Sequence, residues 1–243
     1  MKIGIISDVH ANLPALQAVI RRFQGNGVDS IIHLGDAIAI GPQPRECLEL
    51  LRSIPEARFI MGNHDYWYAN GLPDPLPDWM TEGELRHQHW THEQLGEEFK
   101  DWIKSWPWNI IIDVQDIRLA FLHCPLKEDA KGSKNFVLDP KPEDFDQYFD
   151  YQATYYFFGH VHTASDLQGK ARYMNPGSLG CQKEAIAPYF ILEIIDDHVR
   201  VHKNSVGYDD GPLFKAFETR KVPERDFIYK AFFGGRFQIG DEG

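Results

Sequence analysis

Cysteine is scarce in this chain: 243 residues hold three, Cys47, Cys124 and Cys181, in no spacing that a zinc finger or a disulfide framework uses. An odd number of thiols points to a reducing, cytoplasmic setting. No apolar run approaches the ~20 residues that span a membrane. The chain opens directly on strand-forming residues, Lys2-Ile3-Gly4-Ile5-Ile6, so no secretory leader is expected. Positive charge is short as well, with 25 Lys and Arg against 36 Asp and Glu and a formal net charge of −11. That balance argues against extended nucleic-acid binding, which needs Lys and Arg to neutralise phosphates, and makes a nuclease a weak reading. It leaves a small anionic substrate open. With no low-complexity tract and no repeat of solenoid period, a single domain over residues 1–243 is expected, long enough to bury roughly three quarters of its unfolded surface.

What the chain does have is a series of metal-ligand residue types, each just past a short apolar run. In order these are Ile5-Ile6-Ser7-Asp8-Val9-His10, Ile31-Ile32-His33-Leu34-Gly35-Asp36, Phe59-Ile60-Met61-Gly62-Asn63-His64-Asp65, Ala120-Phe121-Leu122-His123 and Phe157-Phe158-Gly159-His160-Val161-His162. Such runs read as buried strands, and in layered α/β folds the residues beyond the carboxyl ends of strands line the ligand crevice. Carboxylates, a carboxamide and several imidazoles suit divalent transition metals better than Mg²⁺ or Ca²⁺. Taken singly, His123 reads as a hydrogen-bonded structural histidine, and Asp8 and Asn63 as turn or capping residues. His33 fits no ligand slot and reads as a strand histidine with its hydrogen bonds satisfied. His198 and His202 share one face of a late strand.

The order and spacing resemble the calcineurin-like metallophosphoesterases, whose signature runs D-x-H, G-D, G-N-H-[DE], a lone His and G-H-x-H. All five blocks are present between Asp8 and His162. The likeness extends to a bacterial and archaeal phosphodiesterase-like branch, YfcE-like and related to diadenosine tetraphosphatases. It implies that Asp8, His10 and His162 hold one metal, that Asn63, His123 and His160 hold a second, and that Asp36 bridges both. His64 would face the substrate and protonate the leaving group. Two divalent ions are implied, Mn²⁺ first, with Fe, Zn²⁺, Co²⁺ and Ni²⁺ as alternatives. The implied fold is α/β: a four-layer αββα sandwich of two mixed β-sheets flanked by helices, with a small helical cap insertion.

Helices are expected from Asn12, as N-cap, to Gly25 and over residues 44–54. Further strands are expected near residues 117–123, 154–158, 172–174 and 189–195. All six tryptophans fall in residues 66–109, a segment that starts proline-rich and is expected to form the cap beside the site. Within it Thr91-x-x-Gln94 reads as a capping box opening a helix with Leu95, Phe99, Trp102, Ile103 and Trp106 on one face. These tryptophans are expected to pack the cap or to form a homo-oligomer contact. The alternative is that Trp67 or Trp79, on the irregular part, stacks on a nucleobase. Asn175-Pro176-Gly177-Ser178 reads as a turn supporting the site from beneath, and residues 205–243 as a helical tail.

Two departures from the family pattern bear on activity. Phosphoprotein phosphatases and symmetrical dinucleoside tetraphosphatases extend the second block to G-D-x-x-D-R-G, whereas Gly35-Asp36-Ala37-Ile38-Ala39-Ile40-Gly41-Pro42 lacks that Arg. Dianionic monoesters most need such a clamp, so phosphodiesters are favoured. After His123 stand Cys124 and Pro125, the thiol reading as a small buried residue. The expected activity is dinuclear, metal-dependent hydrolysis of a small, nucleotide-like phosphodiester by hydroxide held at the metals, with Asp36 and His64 catalytic. A phosphomonoesterase, protein phosphatase or dinucleoside polyphosphate hydrolase is the alternative, and a non-catalytic binding scaffold is the alternative of another class.

Overall fold

Lys2–Ile6 forms β1, a five-residue apolar strand buried along nearly its whole length, as strands covered on both faces are. A computed structural model describes residues 1–78, 80–125, 141–149, 153–196 and 198–237. After β1 the chain crosses through helix α1 (Leu13–Gly25) to β2 (Ser30–His33), then through α2 (Pro44–Arg52) to β3 (Ala57–Phe59). The strands β1, β2 and β3 pair in parallel. The Asn12 side chain accepts the Ala15 N–H and so caps α1 as expected. The helix after it, α2, stops two residues short of the expected 54.

Three helices follow: α3 (Asn63–Asn70), α4 (Glu82–Leu95) and α5 (Lys100–Lys104). Here the sequence reading needs correction. The capping Thr of α4 is Thr81, whose hydroxyl accepts the Glu84 N–H at 3.1 Å. A Thr-x-x-Glu signature thus caps the helix ten residues upstream of the expected Thr-x-x-Gln. Thr91 lies buried inside α4, and Gly96, with φ of 60°, ends the helix before Phe99. Trp67 stands on α3, 9% exposed, and not on an irregular stretch; Trp79 lies outside the described residues. Trp102 and Trp106 pack on Phe59 at ring centroid distances of 5.1 and 5.0 Å, so they are spent on internal packing.

The second sheet begins with β4 (Asn109–Val114) and β5 (Ile117–Leu122), an antiparallel hairpin whose first strand was not anticipated. Helix α6 (Pro142–Tyr148), β6 (Tyr155–Phe157), β7 (Ser165–Gln168) and β8 (Arg172–Asn175) complete it, in the order β4-β5-β6-β8-β7. The chain then returns to the first sheet through the long hairpin of β9 (Ile186–Ile195) and β10 (His198–Gly207), giving the order β10-β9-β1-β2-β3. His198 and His202 share the exposed face of β10. Helices α7 (Gly211–Thr219) and α8 (Arg225–Phe233) finish the described chain.

Four layers result. Ile3, Ile5 and Ile32 of the first sheet meet Leu119, Phe121, Phe157 and Met174 of the second. Leu16 and Val19 of α1 and Leu48 and Leu51 of α2 cover the outer face of the first sheet. Phe145 of α6 and Phe149 cover Tyr156, Phe158 and Tyr173 of the second. Each such fully buried Leu, Ile or Phe contributes roughly 1.5–3 kcal/mol. Leu213, Phe217 and Phe233 of α7 and α8 form a separate cluster with Ile40 and Cys181, which seats the C-terminal helices over the loop after β2.

Candidate metal centre

All seven expected ligands lie within a few residues of a strand end: Asp8 and His10 after β1, Asp36 after β2, Asn63 after β3, His123 after β5, and His160 and His162 after β6. The first three strands belong to one sheet and the last two to the other, so the rim where both sheets end gathers these side chains. Five of the seven have left-handed backbone: Asp8 (φ 51°), His10 (45°), Asp36 (58°), His160 (69°) and His162 (61°). Such conformations cost of order 1–3 kcal/mol each and persist only where neighbours over-determine them. Here the loops are zipped together. The Asp8 and His10 N–H groups donate to the Gly35 and Asp36 carbonyls at 3.0 and 3.1 Å, and Gly159 N–H donates to His123 O at 2.9 Å.

The Asn175-Pro176-Gly177-Ser178 turn locks this arrangement from below. Ser178 Oγ donates to Asp8 O at 2.8 Å, Ser178 N–H to His162 O at 3.0 Å, and Asn175 Nδ2 to Gly159 O at 2.9 Å. Two glycines are required by close approach. A Cβ on Gly62 would lie 2.2 Å from Asp36 Oδ1, and one on Gly159 2.1 Å from Ser7 Oγ.

The side chains converge tightly. His123 Nε2 is 3.2 Å from Asp36 Oδ2 and 3.2 Å from Asn63 Oδ1, and His160 Nδ1 is 3.0 Å from the same amide oxygen. His10 Nε2 lies 2.9 Å from His162 Nε2, 3.8 Å from Asp8 Oδ1 and 4.0 Å from Asp36 Oδ2. Ligand atoms of Asp36, His123 and His160 lie within 4.8 Å of one another, as do those of His10, Asp36 and His64, and those of His10, His162 and Cys181. Asp36 belongs to two of these groups.

The donor set fits divalent metal ions. His10 Nδ1 donates to Ile38 O at 3.1 Å and His123 Nδ1 to Leu34 O at 2.9 Å, and a carbonyl can only accept. Each ring therefore turns an unprotonated Nε2 inward in its neutral form, oriented by a backbone partner as metal-ligating imidazoles are. The Nε2 atoms of His10 and His162, facing at 2.9 Å, need a proton or a cation between them.

Charge within the cluster is polarised. Burial alone would raise Asp36, but His123 and His64 outweigh it and hold the carboxyl well below its ordinary range. Burial lowers His123, and Asp36 overcomes that to lift it to about 9. Burial, reinforced by neighbouring histidines, depresses His10, and brings His160 to about 4. Protons compete with any metal ion for the same lone pairs, so metal binding by a donor set of this kind depends on pH.

His64 opens α3 beside Asn63. Its N–H donates to Asp36 Oδ1 at 2.9 Å, and its ring lies edge-on to Trp67 and His10, at 4.9 and 5.4 Å. Gln88 of α4, 1% exposed, donates from Nε2 to His64 Nδ1 at 2.8 Å. No local sequence pattern marks Gln88. The sequence also leaves Asp65 without a role, although the motif contains it; Asp65 accepts the N–H groups of Asp36 and Ala37. Cys181, buried beside His10 and His162, has its thiol pKa pushed up by burial. Cys47 and Cys124 are buried too, Cys124 as expected, and no disulfide forms. His33 lies in β2 but is only half satisfied: its Nδ1 accepts Gly35 N–H at 3.3 Å, and its buried Nε2 has no hydrogen-bond partner among the described residues.

Residues 1–197 match the model of the calcineurin-like phosphoesterase superfamily domain. The chain belongs to that superfamily. The matched span contains the whole strand-end cluster, from Asp8 to His162. A Methanocaldococcus jannaschii protein, MJ0912, is 27% identical over 240 residues, covering 91% of this chain and 94% of its own. A metallophosphoesterase from Sphaerobacter thermophilus superposes with a TM-score of 0.67 at 25% identity, covering 92% of this chain and 96% of that one. The hypothetical protein PH1004 from Pyrococcus horikoshii shares the fold at a TM-score of 0.77 and 17% identity, over 97% and 99% of the two chains.

Two cavities open beside the cluster. One, of about 430 Å³, is lined by His64 and Gln88, and the other, of about 530 Å³, by His162, Cys181 and Lys183; Phe232 of α8 lines both. A further cavity of about 940 Å³ lies away from the site, at Asp113, Arg118, Asp146 and Arg172. Both of its arginines are already paired, Arg118 with Asp113 at 2.7 Å and Arg172 with Asp166 at 2.8 Å. None of the described helices is long and apolar enough to cross a membrane.

Proposed function

We propose that this phosphoesterase is a dinuclear, metal-dependent phosphodiesterase acting on a small-molecule phosphodiester. The observation that carries the reading is the double membership of Asp36, whose carboxylate stands within ligand reach of His10 on one side and of His123 and His160 on the other. In this reading Asp8, His10 and His162 hold one ion, Asn63, His123 and His160 the other, and Asp36 both. Mn²⁺ is the first candidate. When bound, the ions supply Lewis-acid charge to the phosphoryl oxygens and bring the pKa of water from 15.7 toward about 7.

The protein's own part is positioning and proton transfer. His10 and His123 keep their lone pairs inward through their backbone acceptors. His64, held by Gln88, is placed to give a proton to the departing oxygen, an effect worth roughly 10²–10⁴-fold. Rotation of the Gln88 amide exchanges its donor for its acceptor, so one side chain serves both protonation states of His64. Residues 66–109 act as the cap in this reading, because α4 within them delivers Gln88.

Diester preference is supported by the cavities. A phosphodiester has two organic substituents, and two cavities flank the cluster. Lys183 is the only Lys or Arg among the described residues lining them. A dianionic monoester would find no arginine fork there. Nucleotide-like diesters are among the substrates that such volumes accept.

The test is hydrolysis of bis-p-nitrophenyl phosphate and p-nitrophenyl phosphate by chelator-stripped protein with Mn²⁺ restored. The expected result is faster turnover of the diester, lost in Asp36→Asn. Preference for the monoester would move a phosphatase to first place, and no metal-dependent activity on either would leave a binding scaffold.

A further inference from the structure

Within the phosphodiesterase reading, on which this inference rests, we propose that the 430 Å³ cavity is the leaving-group subsite and that it selects an alcohol bearing an organic cation, such as a quaternary or primary ammonium.

The location follows from His64, which lines the cavity and is the proposed donor to the departing oxygen. The alcohol that accepts its proton must sit on that side. The volume lies within the roughly 300–1,000 Å³ that ligand pockets span. Its walls are Ile40 from the loop after β2 and Phe227, Ile228 and Phe232 from α8, with Glu84 of α4 and Glu224 completing the lining. Phe227 is 64% exposed, an apolar ring held open to solvent at the mouth of the cavity.

The charges decide the ligand class. No Lys or Arg lines this cavity, while two carboxylates do. Glu224 is compensated by Arg86, whose Nη2 donates to Glu224 Oε1 at 2.6 Å. Glu84 makes no ion pair among the described residues, and half-burial raises its pKa above the ordinary range. A carboxylate partly stripped of water and set among phenylalanines favours a cation, which gains both its charge and the ring faces. A further phosphate, as in a polyphosphate, finds two carboxylates and no Lys or Arg on these walls. The wall is also fixed before any ligand arrives, since His87 Nδ1 donates to Pro223 O at 3.3 Å and ties α4 to the turn before α8.

A charge-isosteric pair tests this. Methyl 2-(trimethylammonio)ethyl phosphate and methyl 3,3-dimethylbutyl phosphate differ in one atom, N⁺ for C, and each is measured as an inhibitor of bis-p-nitrophenyl phosphate hydrolysis by the full chain with Mn²⁺. The expected Ki is about tenfold lower for the cationic ester, and that ratio should shrink toward one in both Glu84→Gln and Phe227→Ala. Equal Ki values for the pair, a ratio unmoved by both substitutions, or tighter binding of a nucleoside 5′-methyl phosphate than of the cationic ester would overturn the assignment. Failure of the underlying reading looks different: wild-type protein would then show no Asp36-dependent hydrolysis of bis-p-nitrophenyl phosphate at all.

Discussion

Asp65 accepts the backbone N–H of Asp36 at 2.7 Å, so the first turn of α3 is fastened to the loop that carries the shared carboxylate. The same carboxylate takes the N–H of Ala37 at 3.0 Å and that of Gly62 at 3.2 Å. Three converging donors hold the strained loop after β2 in register with Asn63 and His64.

Asp65→Asn should therefore destabilise the protein as well as the site. The amide offers one oxygen where two are used, leaving a buried N–H unpaired and a donor facing donors. The expected loss is about 3 kcal/mol, a fall in Tm of roughly 6–12 °C by calorimetry. A Tm within about 2 °C of wild type would show that Asp65 does not anchor the loop.

The buried Gln88 should act on chemistry rather than on folding. In Gln88→Leu, of similar volume, kcat for diesters with alkyl leaving groups should fall about five- to tenfold, the worth of one positioning hydrogen bond. Esters of p-nitrophenol, which leave without protonation, should change little. Gln88→Glu, which keeps an acceptor for His64, should recover part of the loss; equal losses on both ester types would remove the link to proton donation.

Metal ions should join the two sheets. Asp8, His10, Asp36 and Asn63 follow strands of one sheet, and His123, His160 and His162 follow strands of the other. Mn²⁺ at about 100 times its Kd should add roughly 2.7 kcal/mol. In scanning fluorimetry that is a Tm increase of roughly 5–11 °C over chelator-treated protein, absent in Asp36→Asn.

A second, metal-independent clasp joins the sheets at their edges. Asp166 of β7 accepts from Arg172 of β8 at 2.8 Å through both oxygens and meets Lys203 of β10 at 2.5 Å. Arg172 is the main cause, with Lys203 behind it, holding Asp166 at about 2. A depressed carboxylate stabilises the fold above its unfolded pKa, near 3.9, and loses that contribution as pH falls toward the folded value. The stability gap between wild type and Asp166→Asn should thus be constant above about pH 5, at no more than about 2 kcal/mol, and close between about pH 4 and 2. Urea titrations at fixed pH values would measure it, and a gap that persists at pH 2 would contradict the pairing.

Much of this was legible in the sequence because the strands of an αββα sandwich are continuous apolar runs and the ligands sit immediately behind them. Ile5-Ile6 before Asp8 and Phe157-Phe158 before His160 are examples. Legibility stopped where partners are distant or signals are duplicated. Strand β4 alternates exposed and covered residues and hides behind the tryptophans, and β7, Ser165-Asp166-Leu167-Gln168, is too polar to read as a strand. Thr91 carried the same cap signature as Thr81, and only tertiary packing chooses between them. Gln88 lies 24 residues from His64, a separation that no local pattern encodes.

The position of β1 sets a schedule. It is made before the other described strands, yet it lies in mid-sheet between β2 and β9, and residues 186–195 follow it much later. His10 and the His162 that faces it are 152 residues apart. At ~5–20 residues per second, roughly 8–30 s of synthesis separate them. Until residue 123 is made a nascent chain can offer only Asp8, His10, Asp36 and Asn63 of the cluster, and the left-handed turns at Asp8, His10 and Asp36 have as yet no Ser178 beneath them. A complete ligand set therefore exists only once His162 has been made and both sheets have closed over it, so in the proposed reading full coordination of an ion follows the pairing of the sheets instead of guiding it.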